Sequence, residues 1–422
     1  MSQPPQQQPS LPEPAHADID SMLSRKFGKE VANYFAGSPL NRVSFLRTDH
    51  AFLSTALNHP STTFLVLNNF NALVTAPKEL AYVKYDAVKA ILGGDPFVKS
   101  EAELLKEYNS TTYLPQVVFL GLDPRREDGI DHKGGYKGAP VFAIDITPKS
   151  TLKDAAEKLV QEFEGKGYSF PKDRVQMSFP AHEAAIYAEA RHVMDWNARN
   201  PFCAQCGQPT LSINAGWKRS CPPTDLARVG GVVGSTTSET PSKRPDCATR
   251  TSLSNVSFPR TDPTVIMAVV SADGHRVLMG RQKRWPAFWY STLAGFLEPA
   301  ESVEEAVRRE VWEESGITLG RVVIHSTQPW PYPANLMIGA IGQAIAGDGE
   351  KVHLGHDAEL EDAKWFTMEE VRTALRVGTS GLGDAAGAEY KEGGLRLPPS
   401  TAIANQLLTA VANGFVSGDS KI

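Results

Sequence analysis

The sequence predicts a mixed α/β protein, in part α+β, with two α/β regions flanking a short cysteine-bearing module. Three observations carry this expectation. Short apolar runs bounded by turn residues alternate with helix-like stretches towards both ends of the chain. All four cysteines fall within residues 203–258. The strongest helix signal lies between strand-like runs in the C-terminal half. At 422 residues the chain is longer than one ordinary domain.

The first 18 residues are rich in Pro and Gln and show no apolar period, and residues 1–35 read as a disordered leader. Composition turns globular near Val31. Phe64–Leu67, Val117–Leu120 and Val141–Ile144 read as buried strands, and Ala155–Phe163 and Glu183–Asn197 as helices. This domain, residues 36–197, carries no chemical motif, so packing or substrate specificity is its expected role. Residues 198–258 hold the cysteines, with a Pro/Gly/Ser/Thr-rich stretch, 222–246, read as a flexible insertion. From Pro263 the pattern strengthens. Val265–Val270 reads as a strand, Asp273-Gly274 as a hairpin turn and Arg276–Gly280 as its partner. A helix over about Ser302–Ser315 follows, then strands at Val322–Ile324, Leu336–Ala344 and Ala363–Phe366. A last helix, about Ala402–Val411, closes the domain at 259–415, before a polar tail at 416–422. No internal repeat is visible.

Composition excludes several classes. Hydrophobic residues make up 41% and charged residues 22%, ordinary for a chain that buries a core. The net charge of −5 argues against non-specific binding to nucleic acid or an anionic membrane. No apolar run approaches the roughly 18–20 residues that span a bilayer, and no early basic-apolar pattern suggests a signal peptide. Four cysteines are too few for a disulfide scaffold, so metal or chemistry must explain their spacing.

Cys203 and Cys206 form C-x2-C followed by Gly207, the shape of a zinc knuckle. Cys221 and Cys247 would complete a tetrahedral, structural Zn2+ site, and a loop between them lengthens at small entropic cost if its ends stay put. The alternative is that these two are buried thiols.

The sharpest signal runs from Gly295 through Glu301 to Arg309-Glu310-Val311-Trp312-Glu313-Glu314-Ser315-Gly316-Ile317. Ser302 and Glu305 fit a capping box, and Gly316 fits a helix stop. At about 100° per residue, Val303, Val307, Glu310 and Glu314 share one stripe, so the apolar face runs into two carboxylates. Inward acids repel and lose hydration unless a cation compensates them. Arg309 is one candidate; a hard divalent ion such as Mg2+ is a better one. A solvated acidic face explains Glu304, Glu305, Arg308 and Trp312 but not Glu310 and Glu314.

This segment resembles the Nudix box, G-x5-E-x7-R-E-U-x-E-E-x-G-U, matching it at every defined position. The resemblance implies hydrolysis of a nucleoside diphosphate linked to another group, on an α/β/α sandwich. Downstream, Gln328-Pro329-Trp330-Pro331-Tyr332-Pro333-Ala334-Asn335 reads as a stiff extended segment whose Trp330 and Tyr332 rings could stack on a base or nicotinamide. It resembles the S-Q-P-W-P-F-P-Q-S signature of the NADH pyrophosphatases, departing from it at Thr327, Tyr332, Ala334 and Asn335. That family also carries a four-cysteine zinc ribbon and an upstream Nudix-like domain, here 36–197, in the same order.

The resemblance implies that Glu310, Glu314, Glu359 and the backbone carbonyl of Ala294 hold Mg2+ or Mn2+. Asp357, Glu361 and Asp362 compete with Glu359. Glu313 or Glu314 would take a proton from water, and Arg309 would orient a carboxylate. Gln328 to Asn335, the Phe258 ring (where the family has Tyr) and the Ala404 backbone would bind the substrate. NADH would yield reduced nicotinamide mononucleotide and AMP. Broader alternatives are NAD+, ADP-ribose, diadenosine polyphosphates and NAD-capped RNA; one of another class is a non-catalytic zinc-ribbon binding protein. Ser420-Lys421-Ile422 resembles the peroxisomal address, implying an import receptor as partner and a peroxisomal location, with the cytosol as alternative. The family resemblance also implies a homodimer.

Overall fold

The computed structural model describes residues 9–14, 30–172, 178–229, 232–233, 242–250, 257–299, 301–356 and 359–415. Asp357 and the Ser420-Lys421-Ile422 tail lie outside the described residues. The chain divides into two compact units, one of residues 38–260 and one that joins residues 1–37 to residues 261–422. Among the described residues, no helix is long and apolar enough to cross a membrane.

The first unit is built on a sheet whose centre is β1 (Thr63–Asn68), β2 (Val117–Asp123) and β3 (Tyr136–Asp145). β1 runs parallel to β3, and β2 runs antiparallel to it. All seven residues of β2 are buried, so its near-continuous apolar run reads as a strand covered on both faces. The long helix α1 (Ala181–Arg199) buries residues on nearly every side, including Glu189 and Asp195. That explains why no narrow apolar stripe marks it. The cysteine module packs within this unit: the Trp217 indole N–H donates to the Phe119 carbonyl at 2.8 Å.

The second unit is a sheet between two helical layers. Its strands are β4 (Asp262–Val270), β5 (Arg276–Arg281), β6 (Leu293–Phe296), β7 (Leu319–Trp330), β8 (Asn335–Ala344) and β9 (Asp362–Thr367). The order is β7-β8-β4-β5-β9, with β6 paired to β4. Alternation along β4 builds both faces. Val265, Met267 and Val269 pack with Ala306, Val307 and Val311 of α2 (Val303–Ser315). Ile266, Ala268 and Val270 pack on the other side with α3 (Met368–Val377) and α4 (Ile403–Ala412). This is the expected α/β/α sandwich.

The same strand pattern occurs in both units. In each, an early strand runs parallel to the second strand of a later antiparallel pair: β1 with β3, and β4 with β8. The expectation of no internal repeat is thus corrected at the level of topology. Such a repeat needs only matching apolar patterns, not matching residues.

One further expectation gives way, and the base of the insertion is defined, while residues 230–231 and 234–241 of it lie outside the described residues. Residues 33–35 are not a disordered leader: Asn33, Tyr34 and Phe35 are 1%, 0% and 3% exposed. The 222–246 insertion is anchored at both ends, where Thr224–Asp225 pairs with Ser242–Lys243. Arg244 and Asp225 form an ion pair at 2.5 Å with both side chains fully buried. Asp225 Oδ1 also accepts from the Ser110 and Ala227 backbone N–H groups, and Arg244 donates to the Pro209 carbonyl. A buried charge pair with further hydrogen bonds on both partners fixes a stem, which keeps Cys221 and Cys247 in place across the long sequence gap.

Candidate active site

α2 is bounded as its sequence dictates. Ser302 caps it with the reciprocal Glu305 contact, and Gly316 stops it in the left-handed region at φ 73°. Within it, Val307 and Val311 are fully buried, and Glu314 is only 4% exposed. The Glu310 side chain is 14% exposed and Glu313 39%. The stripe therefore does carry carboxylates inward.

Glu310 lies against β6. A Cβ on Gly295 would stand 1.9 Å from Glu310 Cδ, so only glycine leaves room for this carboxylate. Ala294, beside it, pairs with Ile266 at the edge of the sheet. Arg309 forks onto Glu301 at 2.8 and 2.9 Å, donates to the Phe296 carbonyl at 2.8 Å, and reaches Glu310 at 2.9 Å and Glu313 at 3.2 Å. It thereby ties Phe296 and Glu301 to the helix.

Burial raises the Glu310 carboxyl above its ordinary range; Arg309 pulls it back, while the charges of Glu313 and Glu359 push it up. Among its rivals, Glu361 is tied to Arg281, and Asp362 to Tyr290 and Lys364. Among the described acids of this stretch, exposed Glu359 is one whose charge acts on Glu310. Three carboxylates, Glu301, Glu310 and Glu313, thus share the Arg309 guanidinium, and the charge of Glu359 acts on Glu310 as well. That deficit of positive charge, with all-oxygen donors, fits a hard divalent ion such as Mg2+ or Mn2+.

The downstream motif is not one extended rod. Gln328 to Trp330 end β7, residues 331–334 turn, and Asn335 opens β8. Trp330 and Tyr332 meet edge to face at 5.5 Å and are both part-exposed. Pro329 and Pro333 are half-buried, while Pro331 and Ala334 are buried. Gln328 is 1% exposed, and its amide is committed to protein. Nε2 donates to the Tyr34 and Thr401 carbonyls, and Oε1 accepts from the Ile403 N–H, each at 2.9 Å. The substrate-binding expectation for this side chain is corrected to a structural one, because both N–H donors are spent and the oxygen is buried against the Ile403 N–H. Buried Asn335 donates to Thr264 Oγ1. Ala404 sits buried in the first turn of α4. Phe258 belongs to the other unit, where its exposed ring faces the Lys218 ammonium at 5.8 Å.

The four cysteine sulfurs lie within 4.8 Å of one another, and none is in a disulfide. Gly207 turns the knuckle at φ 69°, its N–H donating to the Cys203 carbonyl. Arg250 holds the far side through the Cys221 carbonyl. Four gathered thiols suit Zn2+, and with no open ligand position such a metal is structural.

Sequence reasoning missed three features. The contacts of residues 33–35 span almost the whole chain, with no local signal. The Trp312–His356 stack, at 4.1 Å, ties α2 to the stretch leading to Glu359. The third is α3, whose capping box (Thr367 with Glu370) was a readable signal.

Comparison with known proteins identifies the domains. Family profiles match a NUDIX domain over residues 260–382, an NADH pyrophosphatase zinc ribbon domain over 198–227, and an NADH pyrophosphatase-like rudimentary NUDIX domain over 61–196. The ribbon match stops short of Cys247, which the stem of the insertion brings back. The NAD-capped RNA hydrolase of Schizosaccharomyces pombe is 34% identical over 388 residues, covering 90% of this chain and 93% of that protein. The NAD-capped RNA hydrolase NPY1 of Saccharomyces cerevisiae is 34% identical over 400 residues, covering 90% and 96%. The mitochondrial NAD(P)H pyrophosphatase NUDT13 of Mus musculus is 33% identical over 271 residues, covering 63% and 66%. With the carboxylate helix, the ribbon and the duplicated strand pattern together, the chain belongs to the Nudix hydrolases, in the NADH pyrophosphatase family.

Proposed function

We propose that this hydrolase cleaves the diphosphate bond of NADH, and of NAD+, to a nicotinamide mononucleotide and AMP. What supports the reading is the inward stripe of α2, with Glu310 seated against Gly295 and Glu314 buried, in a unit that also presents Trp330 and Tyr332. Glu310, Glu314, Glu359 and the Ala294 carbonyl would hold Mg2+ or Mn2+. Such an ion supplies charge neutralisation at the diphosphate and a more acidic water.

The chain's own groups do the rest. Gly295 lets Glu310 reach the edge of β6. Arg309 acts as a positioning residue, holding Glu301 and the Phe296 carbonyl while steering Glu310. Glu313, more exposed than Glu314 and in reach of Arg309, is placed to accept the proton of the attacking water. Trp330 and Tyr332 offer aromatic surfaces for a base or nicotinamide ring. The four cysteines would hold Zn2+ as a structural staple.

A second reading is hydrolysis of NAD-capped RNA, since the names of the two yeast relatives carry that activity and the 5′ end of such RNA is the same dinucleotide. Chromatographic product analysis tests both, with purified protein and Mn2+ given NADH, NAD+, ADP-ribose and an NAD-capped oligonucleotide in turn. Fastest AMP release from NADH supports the first reading. Faster decapping than NADH cleavage supports the second. Equal turnover of ADP-ribose and NADH contradicts a role for the nicotinamide ring.

A further inference from the structure

We propose that Asn33-Tyr34-Phe35 is a positioning strap that sets the Trp330/Tyr332 surface for its ligand, with Phe35 as the backstop of the two rings. The proposal rests on the reading that these rings hold part of the dinucleotide.

Each strap residue makes a specific tie within the same compact unit. The Asn33 side-chain amide donates to Ser326 Oγ at 3.0 Å and to the Thr327 carbonyl at 2.9 Å. The Tyr34 carbonyl accepts from Gln328 Nε2 at 2.9 Å. The Phe35 ring meets Trp330 edge to face at 6.0 Å and Tyr332 at 6.1 Å. The three residues therefore grip consecutive positions of β7 and then the turn that follows.

Two observations point to more than ordinary packing. Phe35 has φ 72°, a left-handed backbone that a bulky side chain rarely adopts. Such a conformation persists where the surroundings over-determine it, and it concentrates at binding sites. The second is the Gln328 amide, which joins the strap to Thr401 and to Ile403 at the start of α4. The strap, the aromatic turn and the helix carrying Ala404 are thus one hydrogen-bonded assembly. An edge-to-face ring fixes the tilt of its partners without covering both of their faces. Loss of Phe35 leaves Trp330 and Tyr332 present but free to sample other rotamers. That weakens ground-state and transition-state binding alike and leaves the chemical step alone.

The test is steady-state kinetics on full-length Phe35→Gly, Phe35→Tyr and Trp330→Ala, with NADH and saturating Mn2+. Glycine accepts the left-handed backbone, so Phe35→Gly removes the ring and relieves the strain together. The expected result is a KM for NADH raised on the order of five- to tenfold in Phe35→Gly, with kcat within about twofold. Phe35→Tyr, which keeps the ring, restores the KM. Trp330→Ala raises KM at least as far. If Trp330→Ala raises KM and Phe35→Gly does not, the strap proposal is overturned while the ring-binding reading stands. If Trp330→Ala leaves KM unchanged, that reading fails and the proposal with it. A fall in kcat at constant KM in Phe35→Gly also overturns the proposal, since it marks general damage to the fold.

Discussion

Replacing Gly295 with alanine should disable the enzyme without altering a single carboxylate. The added Cβ falls 1.9 Å from Glu310 Cδ and 2.1 and 2.2 Å from its oxygens, against an ordinary contact of 3.4 Å. The difference, 3.4 − 1.9 = 1.5 Å, is the distance the carboxylate must withdraw. Oxygen ligands of Mg2+ tolerate roughly 0.2 Å of error, so a shift of this size removes Glu310 from any metal shell. Stability should change little, because the group that moves is the tip of a flexible side chain and Gly295 has no positive φ. A misplacement of about 1 Å at a reacting centre costs on the order of 100-fold in rate. The assay is kcat for NADH at saturating Mg2+, with a melting curve on the same sample. Gly320→Ala serves as control, since its Cβ would find the nearest atom at 3.7 Å. Turnover of Gly295→Ala within about threefold of wild type would refute the placement of Glu310.

Further outcomes follow from other parts of the structure. Glu359→Gln should lower metal-dependent turnover at least about tenfold, and Glu361→Gln by much less, because Arg281 already holds Glu361; a ranking in the opposite order in the same assay would move the third carboxylate. Elemental analysis should find about one Zn2+ per chain, and Cys206→Ala should lose it and lower the Tm on the order of 10 °C. Asp225→Asn should destabilise the cysteine module by about 3–5 kcal/mol in denaturant titrations, because it leaves Arg244 buried without its counter-charge. Burial raises the Glu189 carboxyl to about 7, despite the opposing charges of Arg42 and Arg47. Its folded value lies above its unfolded one, so the stability it contributes is full below about pH 4.5 and is lost as pH rises through about 7. Relative to Glu189→Gln, wild type should lose most of ~3 kcal/mol between pH 4.5 and 8; parallel stability curves for the two proteins would contradict this.

Much of the catalytic unit was legible in the sequence because its signals are local. Ser302, Glu305 and Gly316 bound α2 by backbone chemistry that acts within a few residues. The Val303–Glu314 stripe follows from helix period alone, and β4 from an unbroken apolar run. What escaped reading depends on distant partners. Gln328 read as a substrate-binding residue of a proline-rich segment, and its structural role emerges from Tyr34, Thr401 and Ile403. The strap at 33–35 sits next to a polar leader and is ordered by residues almost three hundred positions away. The insertion looked flexible because Pro, Gly and Ser dominate it, yet one buried Arg–Asp pair outweighs that composition at its base. The Leu293–Phe296 strand is too short, and too poor in apolar alternation, to announce itself.

The most direct test of the central claim is Mn2+-dependent NADH cleavage by Glu314→Gln against wild type, across a range of Mn2+ concentrations. The substitution keeps the shape of a buried side chain and removes one charge that a metal would need. If Glu310, Glu314 and Glu359 hold the metal, AMP release falls at least about 100-fold and added Mn2+ does not restore it. Wild-type turnover by Glu314→Gln would contradict the assignment of this helix as the catalytic centre.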